Sequence, residues 1–391
     1  IKNLCCWAGR QHDLLTANPD KPDESPTNTY NPILHGDPDE VADRLLQLIP
    51  STESNPGADH YKQEAKQALN TIIAALQACR LRYNMIDMVV LLINQRAMEE
   101  LENKLIVTAP EDEATKNFSL FLDKFRMPEW DKNNPGGIDM NKLKQSLGGI
   151  AGRLYTFGTG NFGQIMNTYD PDVVLYDAIR SNKIVVCGLP TMGKGTTARN
   201  FGRLVIGDLR TAISWLQRLP EAERPNPPFL ALCDEAGSYV NDEWSRIPEQ
   251  TRSANVIFAP FAQTAANFQA ISDELYEMVV GNSWTKVVFK VGTQGTALET
   301  AELIGMEKTV VKTLGDSENE SASFESLRAA PGINVGKSAG ATFQEREQED
   351  YRVSPDQLKS LDMGEAVITF GHTELFSVRI PRLTFDSKVV A

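Results

Sequence analysis

Two adjacent carboxylates, Asp234 and Glu235, directly follow the apolar run Phe229-Leu-Ala-Leu-Cys233. A short apolar run that ends in two acids is typical of a buried parallel strand with the acids at its carboxyl end. P-loop ATPases place an aspartate there to hold Mg²⁺ through water, and the glutamate beside it orients and activates the attacking water. The pair therefore predicts the Walker B acids of an enzyme that hydrolyses ATP. The alternative is a buried strand followed by two solvated loop carboxylates.

Two further polar residues flank the next apolar run, Val256-Ile-Phe-Ala259. Arg252 precedes this run and Gln263 follows it, at the strand end where open α/β sheets bind their ligands. A glutamine there can sense the γ-phosphate of a nucleotide, and an arginine at a subunit edge can stabilise a phosphoryl transition state in a neighbouring subunit. The alternatives without a catalytic role are that Arg252 lies at a solvated helix end and that Gln263 caps a helix.

The segment from Gly188 to Thr196 resembles a phosphate-binding loop, because it follows a strand, opens a helix and contains Gly193-Lys194. Gly195 replaces the serine or threonine that would ligate magnesium, and Pro190 removes one amide from the would-be phosphate cradle. The segment is therefore predicted to be an ordinary strand-to-helix loop. Lys194 would bind nucleotide only if this loop were a true phosphate loop.

The elements that must position these residues alternate between strands and helices after Asp170. Apolar runs at 183–189, 229–233, 256–259 and 287–291 are predicted strands, and a long amphipathic helix is predicted at 197–219. Strands that alternate with helices indicate a mostly parallel sheet covered on both faces. The polar segment 315–350 is predicted to be an exposed excursion, and residues 365–380 a hairpin.

Helical periodicity dominates an earlier part of the chain. Between about residues 37 and 165 no strand-like alternation occurs, whereas Val41 to Ile49 and Tyr61 to Leu76 carry apolar residues at helical spacing. Residues 109–140 are polar and turn-rich. The chain is therefore predicted to hold an all-α domain at 37–165 between a first α/β part at 1–36 and a larger one at 166–391.

Composition limits the classes of protein that the chain can represent. The 391 residues carry a net charge of -13, which argues against a generally basic nucleic-acid-binding surface but allows a local basic channel. One candidate is the helix face with Arg199, Arg203 and Arg210, for which a solvated surface is the alternative. The spacing of the 5 cysteines and 4 histidines predicts neither a disulfide framework nor a metal site. No apolar run is long enough to cross a bilayer.

The chain resembles a known family, the TraD/TraG-like coupling-protein ATPases of type IV secretion and conjugation. The resemblance covers nearly the whole chain and depends on these motifs together: Thr29-Tyr-Asn-Pro32, Glu53-Ser-Asn-Pro-Gly-Ala-Asp59, Gly158-Thr-Gly-Asn-Phe-Gly163, Asn167-Thr-Tyr169, Leu189-Pro-Thr-Met-Gly-Lys194, Asp234-Glu-Ala-Gly-Ser-Tyr-Val240 and Gly281-Asn-Ser-Trp-Thr-Lys286.

The resemblance implies a RecA-like P-loop ATPase domain with an inserted all-α domain, assembled as a homo-hexamer at the cytoplasmic face of the bacterial inner membrane. It implies that Asp234 and Glu235 are Walker B, that Arg252 is a trans arginine finger and that Gln263 is the nucleotide sensor. It places the Walker A loop before Ile1 and the membrane anchor outside the given residues. The implied cofactors are ATP and Mg²⁺, and the implied partners are relaxase-bound single-stranded DNA or secreted proteins and the channel components.

Four functions are compatible with these features. The first is an ATP-driven motor that recruits relaxase-bound DNA to a type IV secretion channel and powers its translocation. The second is a receptor for protein effectors only, which predicts no stimulation of ATP hydrolysis by single-stranded DNA. The third is a small-molecule P-loop kinase that uses Gly188 to Thr196, and the fourth is a non-enzymatic platform.

Overall fold

The structure is a computed structural model that describes residues 1–20, 27–49, 56–129, 131, 135–190, 193, 195–322, 335–371 and 374–384. For residues 56–59, 309–322 and 335–348 only the backbone is described. The chain divides into two compact units, Ile1–Asn282 and Ser283–Thr384. All five cysteines are free thiols, as the sequence predicts.

The strands of the first unit form two parallel pairs. Strand β1 (Leu14–Ala17) pairs with β2 (Ile184–Cys187), and β3 (Phe229–Cys233) pairs with β4 (Val256–Pro260). The predicted strands at 183–189, 229–233 and 256–259 are thereby confirmed, and so is their parallel direction. Because β1 pairs with a strand that follows it by more than 160 residues, the intervening helices are an insertion between two neighbouring strands.

The described elements between residues 37 and 165 are helices. Several begin at a side-chain cap: Asp37 and Asn84 each form a capping box, and Asp112 and Asp139 accept hydrogen bonds from first-turn amides. The helices are α2 (Pro38–Leu46), α3 (Pro56–Ala78), α4 (Met85–Ile93), α5 (Gln95–Thr108), α6 (Glu113–Asp123), α7 (Met140–Phe157) and α8 (Gly160–Met166), and α1 (Lys2–Trp7) precedes β1. Helix α6 lies in the segment predicted to be turn-rich. Its apolar face is short, with Phe118, Phe121 and Leu122 buried. The helix becomes evident only from the packing of these residues, not from the sequence pattern.

The chain enters and leaves this helical region through two segments that are hydrogen-bonded to each other. Tyr30 forms a parallel bridge with Val173, and the Asp172 carboxylate accepts hydrogen bonds from the amide and the hydroxyl of Thr29 at 2.8 and 2.9 Å. The Asn31 side chain donates to the carbonyl oxygens of Tyr83 and Thr168 at 2.8 and 2.9 Å. We refer to residues 29–36 and 165–173 as the double crossing. It contains two of the motifs on which the family resemblance depends.

After the double crossing, a long helix runs across the unit. Helix α10 (Gly195–Gln217) buries Phe201, Leu204 and Leu209, in agreement with the amphipathic helix predicted at 197–219. The remaining helices of this unit are α9 (Leu175–Arg180), α11 (Ile247–Ser253), α12 (Ala266–Gln269) and α13 (Asp273–Tyr276), followed by a π-helical turn at Glu277–Gly281. Within the described part of the chain, no helix combines the length and the apolar character needed to span a bilayer.

A buried ion pair joins α10 to the helical region. The Arg44 guanidinium on α2 lies 3.1 Å from the Asp208 carboxylate on α10, and the two side chains are 1% and 12% exposed. Arg44 also donates to Thr211 at 2.6 Å and to the carbonyl oxygen of Pro32, and the Tyr30 hydroxyl donates to Asp208 at 2.8 Å. Burial raises the pKa of Asp208, while Arg44 and Tyr30 oppose that rise. One guanidinium therefore connects α2, α10 and the double crossing.

The second unit is a three-stranded antiparallel sheet packed on two helices. Its strands lie in the order β5 (Thr285–Val288), β8 (Glu365–Phe370) and β9 (Glu374–Arg379), and its helices are α14 (Gln294–Ile304) and α15 (Pro355–Ser360). The hairpin predicted at 365–380 is confirmed by the β8–β9 pair. The apolar run 287–291, predicted to join a parallel sheet, contributes only its first part to β5, which pairs antiparallel with β8. An apolar run alone does not reveal the direction of its partner strand.

The segment predicted to be an exposed excursion has a regular backbone where it is described. Strands β6 (Met306–Ala322) and β7 (Val335–Tyr351) pair antiparallel from Met306↔Tyr351 to Ala322↔Val335. The polar composition of the segment did not predict these strands, because strands pair through backbone groups and do not require apolar side chains.

Candidate nucleotide site

Asp234 and Glu235 lie at the carboxyl end of β3, and both side chains are exposed. Ala231 and Cys233 on β3 are buried, so this face of the strand packs on the core while the strand end opens to solvent. The last paired residues are Cys233 and Pro260, and therefore the chain after β3 and the chain after β4 emerge at the same edge. This is the edge at which parallel α/β sheets bind ligands.

Hydrogen bonds continue beyond the strand pair and fix the turn that carries the two acids. The amide of Phe261 donates to Cys233 at 2.9 Å, and the amide of Ala236 donates back to Phe261 at 2.8 Å. The Asp234 carboxylate accepts the amide of Glu235 at 2.9 Å. The two acids therefore lie in a turn that is held on both sides, and their backbone directions are defined.

Glu235 adopts a left-handed backbone conformation, with φ 49° and ψ 38°. This region costs a residue with a side chain about 1–2 kcal/mol, and such residues cluster at functional sites. The other described non-glycine residues with positive φ are Arg80, Asn182 and Asn255. Asparagine tolerates this conformation well, and Arg80 follows the end of α3. Glu235 differs because it begins a short 3₁₀ turn directly after a strand.

Gln263 follows β4 by three residues, and its side chain is exposed. Because β3 and β4 are parallel and in register, Gln263 emerges at the same edge as Asp234 and Glu235. The structure thus brings three of the four predicted site residues to one edge of the β3–β4 pair.

Arg252 lies elsewhere in the unit. It is an exposed residue in the last turn of α11, four residues before β4 begins. Since β4 has five residues and a strand rises about 3.3 Å per residue, roughly 15 Å of strand separates Arg252 from the edge with Asp234. Within one chain, Arg252 and the two acids therefore lie at opposite ends of the β3–β4 pair.

The segment from Gly188 to Thr196 begins at the carboxyl end of β2 and leads into α10. The amide of Gly188 donates to Ala17 at 2.8 Å, which extends the β1–β2 pairing by one residue. Lys194, the conditional nucleotide-binding residue, lies outside the described residues, as do Thr191 and Met192. The prediction that this segment is not a phosphate loop therefore stays a prediction.

The carboxylates at this edge fit a magnesium ion that is bound together with a nucleotide. Among the described residues no cluster of three or more histidine, cysteine or acidic side chains could enclose a metal. Mg²⁺, however, usually keeps several waters and binds through one or two carboxylates together with substrate phosphates. Asp234 with Glu235 supplies such a carboxylate pair, so the residues fit a magnesium ion that arrives with a nucleotide.

Two buried groups, the Cys233 thiol and the Tyr239 phenol, lie next to the turn. Burial raises the pKa of the Cys233 thiol to about 12 and raises the pKa of the Tyr239 phenol as well. Both groups are therefore protonated and uncharged at neutral pH. The Tyr239 hydroxyl donates to the carbonyl oxygen of Asp234 at 3.1 Å. Tyr239 was not among the predicted site residues, although it belongs to the motif Asp234–Val240.

The basic face predicted on α10 is only partly solvated. Arg210 pairs with Glu243, and Arg203 is half-buried with a 3.4 Å contact to the carbonyl oxygen of Gln47. Burial, together with nearby Arg199, lowers the pKa of Arg203. Two of the three arginines therefore make contacts within the unit, so the face is not fully solvated, and its role in nucleic-acid binding stays a prediction. Arg199 alone of the three is exposed.

Residues 228–363 match a protein family described as the TraM recognition site of TraD and TraG. This region contains β3, the two acids, Arg252 and Gln263. No curated protein matches the chain.

The fold is similar to solved structures of a bacterial conjugative coupling protein, TrwB. The complex of TrwB with the non-hydrolysable GTP analogue GDPNP matches with a TM-score of 0.59 at 12% identity, covering 96% of this chain and 76% of that chain. The complex with ADP and Mg²⁺ matches with a TM-score of 0.58 at 13% identity, covering 97% and 76%. The unbound form matches with a TM-score of 0.58 at 12% identity, covering 95% and 74%. The family match and this fold confirm the resemblance to TraD/TraG-like coupling proteins and the RecA-like α/β fold with an inserted all-α part.

Proposed function

We propose that the protein is an ATP-driven coupling protein, which recruits relaxase-bound single-stranded DNA to a type IV secretion channel and powers its translocation. The observation that carries this proposal is the pair Asp234–Glu235 in a fixed turn at the carboxyl edge of a parallel strand pair. The pair occurs in a fold shared with TrwB, whose structures include complexes with nucleotides and with Mg²⁺.

In this proposal each predicted site residue has one task. Magnesium, when bound with ATP, neutralises the charge of the phosphates and polarises the bond to be broken. Asp234 holds the water shell of the ion, and Glu235 accepts a hydrogen bond from the attacking water and receives its proton. Gln263, at the same edge, contacts the γ-phosphate. If Gly188 to Thr196 were a phosphate loop after all, Lys194 would join this set.

Arg252 acts on the nucleotide of a neighbouring subunit in this proposal. Its position at the opposite end of β4 from the two acids supports this role, because one chain alone does not bring Arg252 to its own Asp234. A residue that serves a neighbour requires a ring or a stack of subunits, and the proposed assembly is a homo-hexamer at the cytoplasmic face of the bacterial inner membrane.

The partners follow from the same assignment. The match of residues 228–363 to the TraM recognition site supports contact between this region and an accessory protein of the TraM type. The all-α part at 37–165 is proposed to bind cargo. Its buried residues, Leu69, Phe118 and Leu147 among them, belong to the continuous core of the first unit. Residues 1–36 and 166–391 form the nucleotide-binding part in this proposal.

A measurement of ATP hydrolysis by the full-length protein tests the function. Steady-state turnover is followed without cargo, with single-stranded DNA, with DNA bound to its relaxase, and with a secreted protein substrate. We expect single-stranded DNA to stimulate turnover several-fold, on the order of tenfold, because a translocating motor couples hydrolysis to its track. Stimulation by the secreted protein but not by DNA would identify a receptor for protein effectors only. Absence of hydrolysis under all four conditions would identify a non-enzymatic platform and contradict the proposal.

A further inference from the structure

Tyr239 is a buried aromatic residue that contacts the turn with the two acids. Its side chain is 5% exposed, and its hydroxyl donates to the carbonyl oxygen of Asp234 at 3.1 Å. That carbonyl belongs to the peptide that joins Asp234 to Glu235. The hydrogen bond therefore acts on the one peptide plane whose rotation would turn both carboxylates.

The ring of Tyr239 is held by other aromatic residues. It meets Trp244 in an edge-to-face arrangement, with ring centroids 5.5 Å apart, and Trp244 meets Phe258 on β4 in the same way at 5.2 Å. Trp244 is fully buried. The aromatic chain therefore connects the turn after β3 to the neighbouring strand, and the hydroxyl of Tyr239 has little freedom to move away from Asp234.

Helix α10 supplies a matching surface on the other side of the ring. A Cβ atom at Gly202 would lie 2.9 Å from Cγ, 3.0 Å from Cδ2 and 3.1 Å from Cβ of Tyr239. The first distance is shorter than real Cβ contacts and the other two are tighter than most, so the ring rests directly on the helix backbone. Glycine in a helix interior is unfavourable relative to alanine, and the contact with Tyr239 gives a physical reason for glycine at this position.

We propose that Tyr239 is a positioning residue, which sets the direction of the Asp234 and Glu235 carboxylates by fixing their shared peptide against α10. This inference rests on the proposed ATPase function. The hydroxyl is suited to this task because it is a hydrogen-bond donor that lies 3.1 Å from the carbonyl oxygen of Asp234. Tyr239 touches neither nucleotide nor water in this proposal and acts only through the turn.

The substitution Tyr239→Phe in the full-length protein tests the hydroxyl while keeping the ring. Loss of one hydrogen bond corresponds to an effect of about fivefold. We expect the Mg²⁺ concentration that gives half-maximal ATP hydrolysis to rise by about this factor. Binding of Mn²⁺ together with a non-hydrolysable ATP analogue, followed by electron paramagnetic resonance, should weaken to the same extent. Tyr155→Phe on α7 is the matched control, because Tyr155 is 55% exposed.

The substitution Gly202→Ala tests the contact from the side of the helix. The added methyl group displaces the ring, so hydrogen–deuterium exchange of the amides at 234–240 should accelerate several-fold in the absence of any nucleotide. Gly152→Ala on α7 is the matched control, because nothing lies within 4 Å of a Cβ atom at that helical position. Alanine there should leave exchange at 234–240 unchanged.

The two proposals fail in different ways. If Glu235→Gln abolishes turnover but Tyr239→Phe and Gly202→Ala keep the Mg²⁺ and Mn²⁺ dependence of the wild type, the positioning role is wrong and the ATPase assignment stands. A lowered melting temperature without any change in metal dependence would give Tyr239 a structural role only and would also overturn the inference. If the wild-type protein hydrolyses no ATP, both proposals fall together.

Discussion

Asp234 and Glu235 are both exposed and lie in the turn that follows β3. Glu235 adopts a left-handed backbone conformation with φ 49°, which has a conformational cost. Under the proposed function, the turn directs one carboxylate toward a metal ion and the other toward a water molecule. Two acids in sequence on a continuous strand would point to opposite faces, and they would not reach one nucleotide.

The trans role of Arg252 leads to a prediction about mixed subunits. Arg252→Ala and Glu235→Gln each inactivate every site in a uniform hexamer, but a mixture contains interfaces that combine Glu235 of one subunit with Arg252 of the next. We expect the mixture to hydrolyse ATP faster than the sum of the two separate variants. The measurement is steady-state turnover at protein concentrations where hexamers form.

The control for this experiment is a mixture of wild type with Glu235→Gln. It shows how far turnover falls when active subunits are merely diluted with inactive ones. If the mixture of the two variants never exceeds the sum of its components, Arg252 does not serve a neighbouring site. An effect of Arg252→Ala would then have to arise within its own chain, at the amino end of β4.

The sequence predicted the position of the two acids after a strand but not their contact with Tyr239, for a physical reason. Asp234 and Glu235 were found because a strand and the acids that follow it are adjacent in the chain, so that a local pattern is sufficient. The contact between Tyr239 and Gly202 joins positions 37 residues apart, and nothing in the local pattern of either residue indicates the other. Gln263 lies with the acids only because β3 and β4 are parallel and in register.

At the scale of elements, the double crossing explains how an all-α region can be inserted without loosening the parallel pair β1–β2. Thr29, Asn31 and Asp172 join the two segments by hydrogen bonds, and the bridge between Tyr30 and Val173 adds a short sheet-like contact. Both segments are fixed to each other before the chain reaches α2. The motifs Thr29–Pro32 and Asn167–Tyr169 thus connect the two chain segments of the double crossing, and neither contains a predicted catalytic residue.

The buried pair Arg44–Asp208 yields a prediction about stability. Arg44→Met removes the partner of a buried carboxylate, and breaking such a pair costs about 3–5 kcal/mol of unfolding free energy. In the double variant Arg44→Met/Asp208→Asn the unpaired charge is gone, and we expect much of the loss to be recovered. Urea unfolding followed by far-ultraviolet circular dichroism measures these differences, since the helices of the first unit dominate that signal.

The same pair predicts how the loss depends on pH. Burial already raises the pKa of Asp208, and Arg44 opposes this, so removing Arg44 raises the pKa further. A raised folded-state pKa means that the folded state binds a proton more readily than the unfolded state, so Arg44→Met should regain stability relative to wild type as the pH is lowered from neutral toward the ordinary range of a carboxyl group. Asp208→Asn lacks this titration and should show no such recovery.

An exposed arginine serves as the control for the buried one. Arg96 pairs with Glu100 on the surface of α5 with its side chain 86% exposed, and Arg96→Met should change the unfolding free energy by less than about 1 kcal/mol. A similarly small effect for Arg44→Met, or an effect that does not change with pH, would show that the pair does not hold α2 to α10.

The elements that the sequence predicted well are those with a strong period and a buried face. Helix α10 and strands β2, β3 and β4 meet that condition, because apolar periodicity reports local burial. Helix α6, the antiparallel direction of β5 and the inward contacts of Arg203 and Arg210 were missed. Each of these depends on a partner that is distant in the chain, such as β8 for β5 or Gln47 for Arg203.

At the scale of the whole molecule, the fold of the chain is similar to that of a conjugative coupling protein, and residues 228–363 match the family described as the TraM recognition site of TraD and TraG. The division into residues 1–36, 37–165 and 166–391 stays a prediction about domains. Its physical basis is the insertion of the helices between the neighbouring strands β1 and β2. ATP hydrolysis, the hexamer and the transported cargo are proposals that the experiments above address.

Every proposal about the whole molecule depends on the chemistry of one carboxylate, and the most direct test is the substitution Glu235→Gln in the full-length protein. Glutamine keeps the size of the side chain and the turn but cannot accept the proton of the attacking water. We therefore expect nucleotide affinity, measured by calorimetry with a non-hydrolysable ATP analogue and Mg²⁺, to stay within about twofold of the wild type, while turnover falls about 100-fold or more. Glu274→Gln on α13, an exposed acid of the same unit, is the matched control and should hydrolyse ATP as the wild type does. Turnover of Glu235→Gln near the wild-type rate, with nucleotide binding intact, would contradict the assignment of the site.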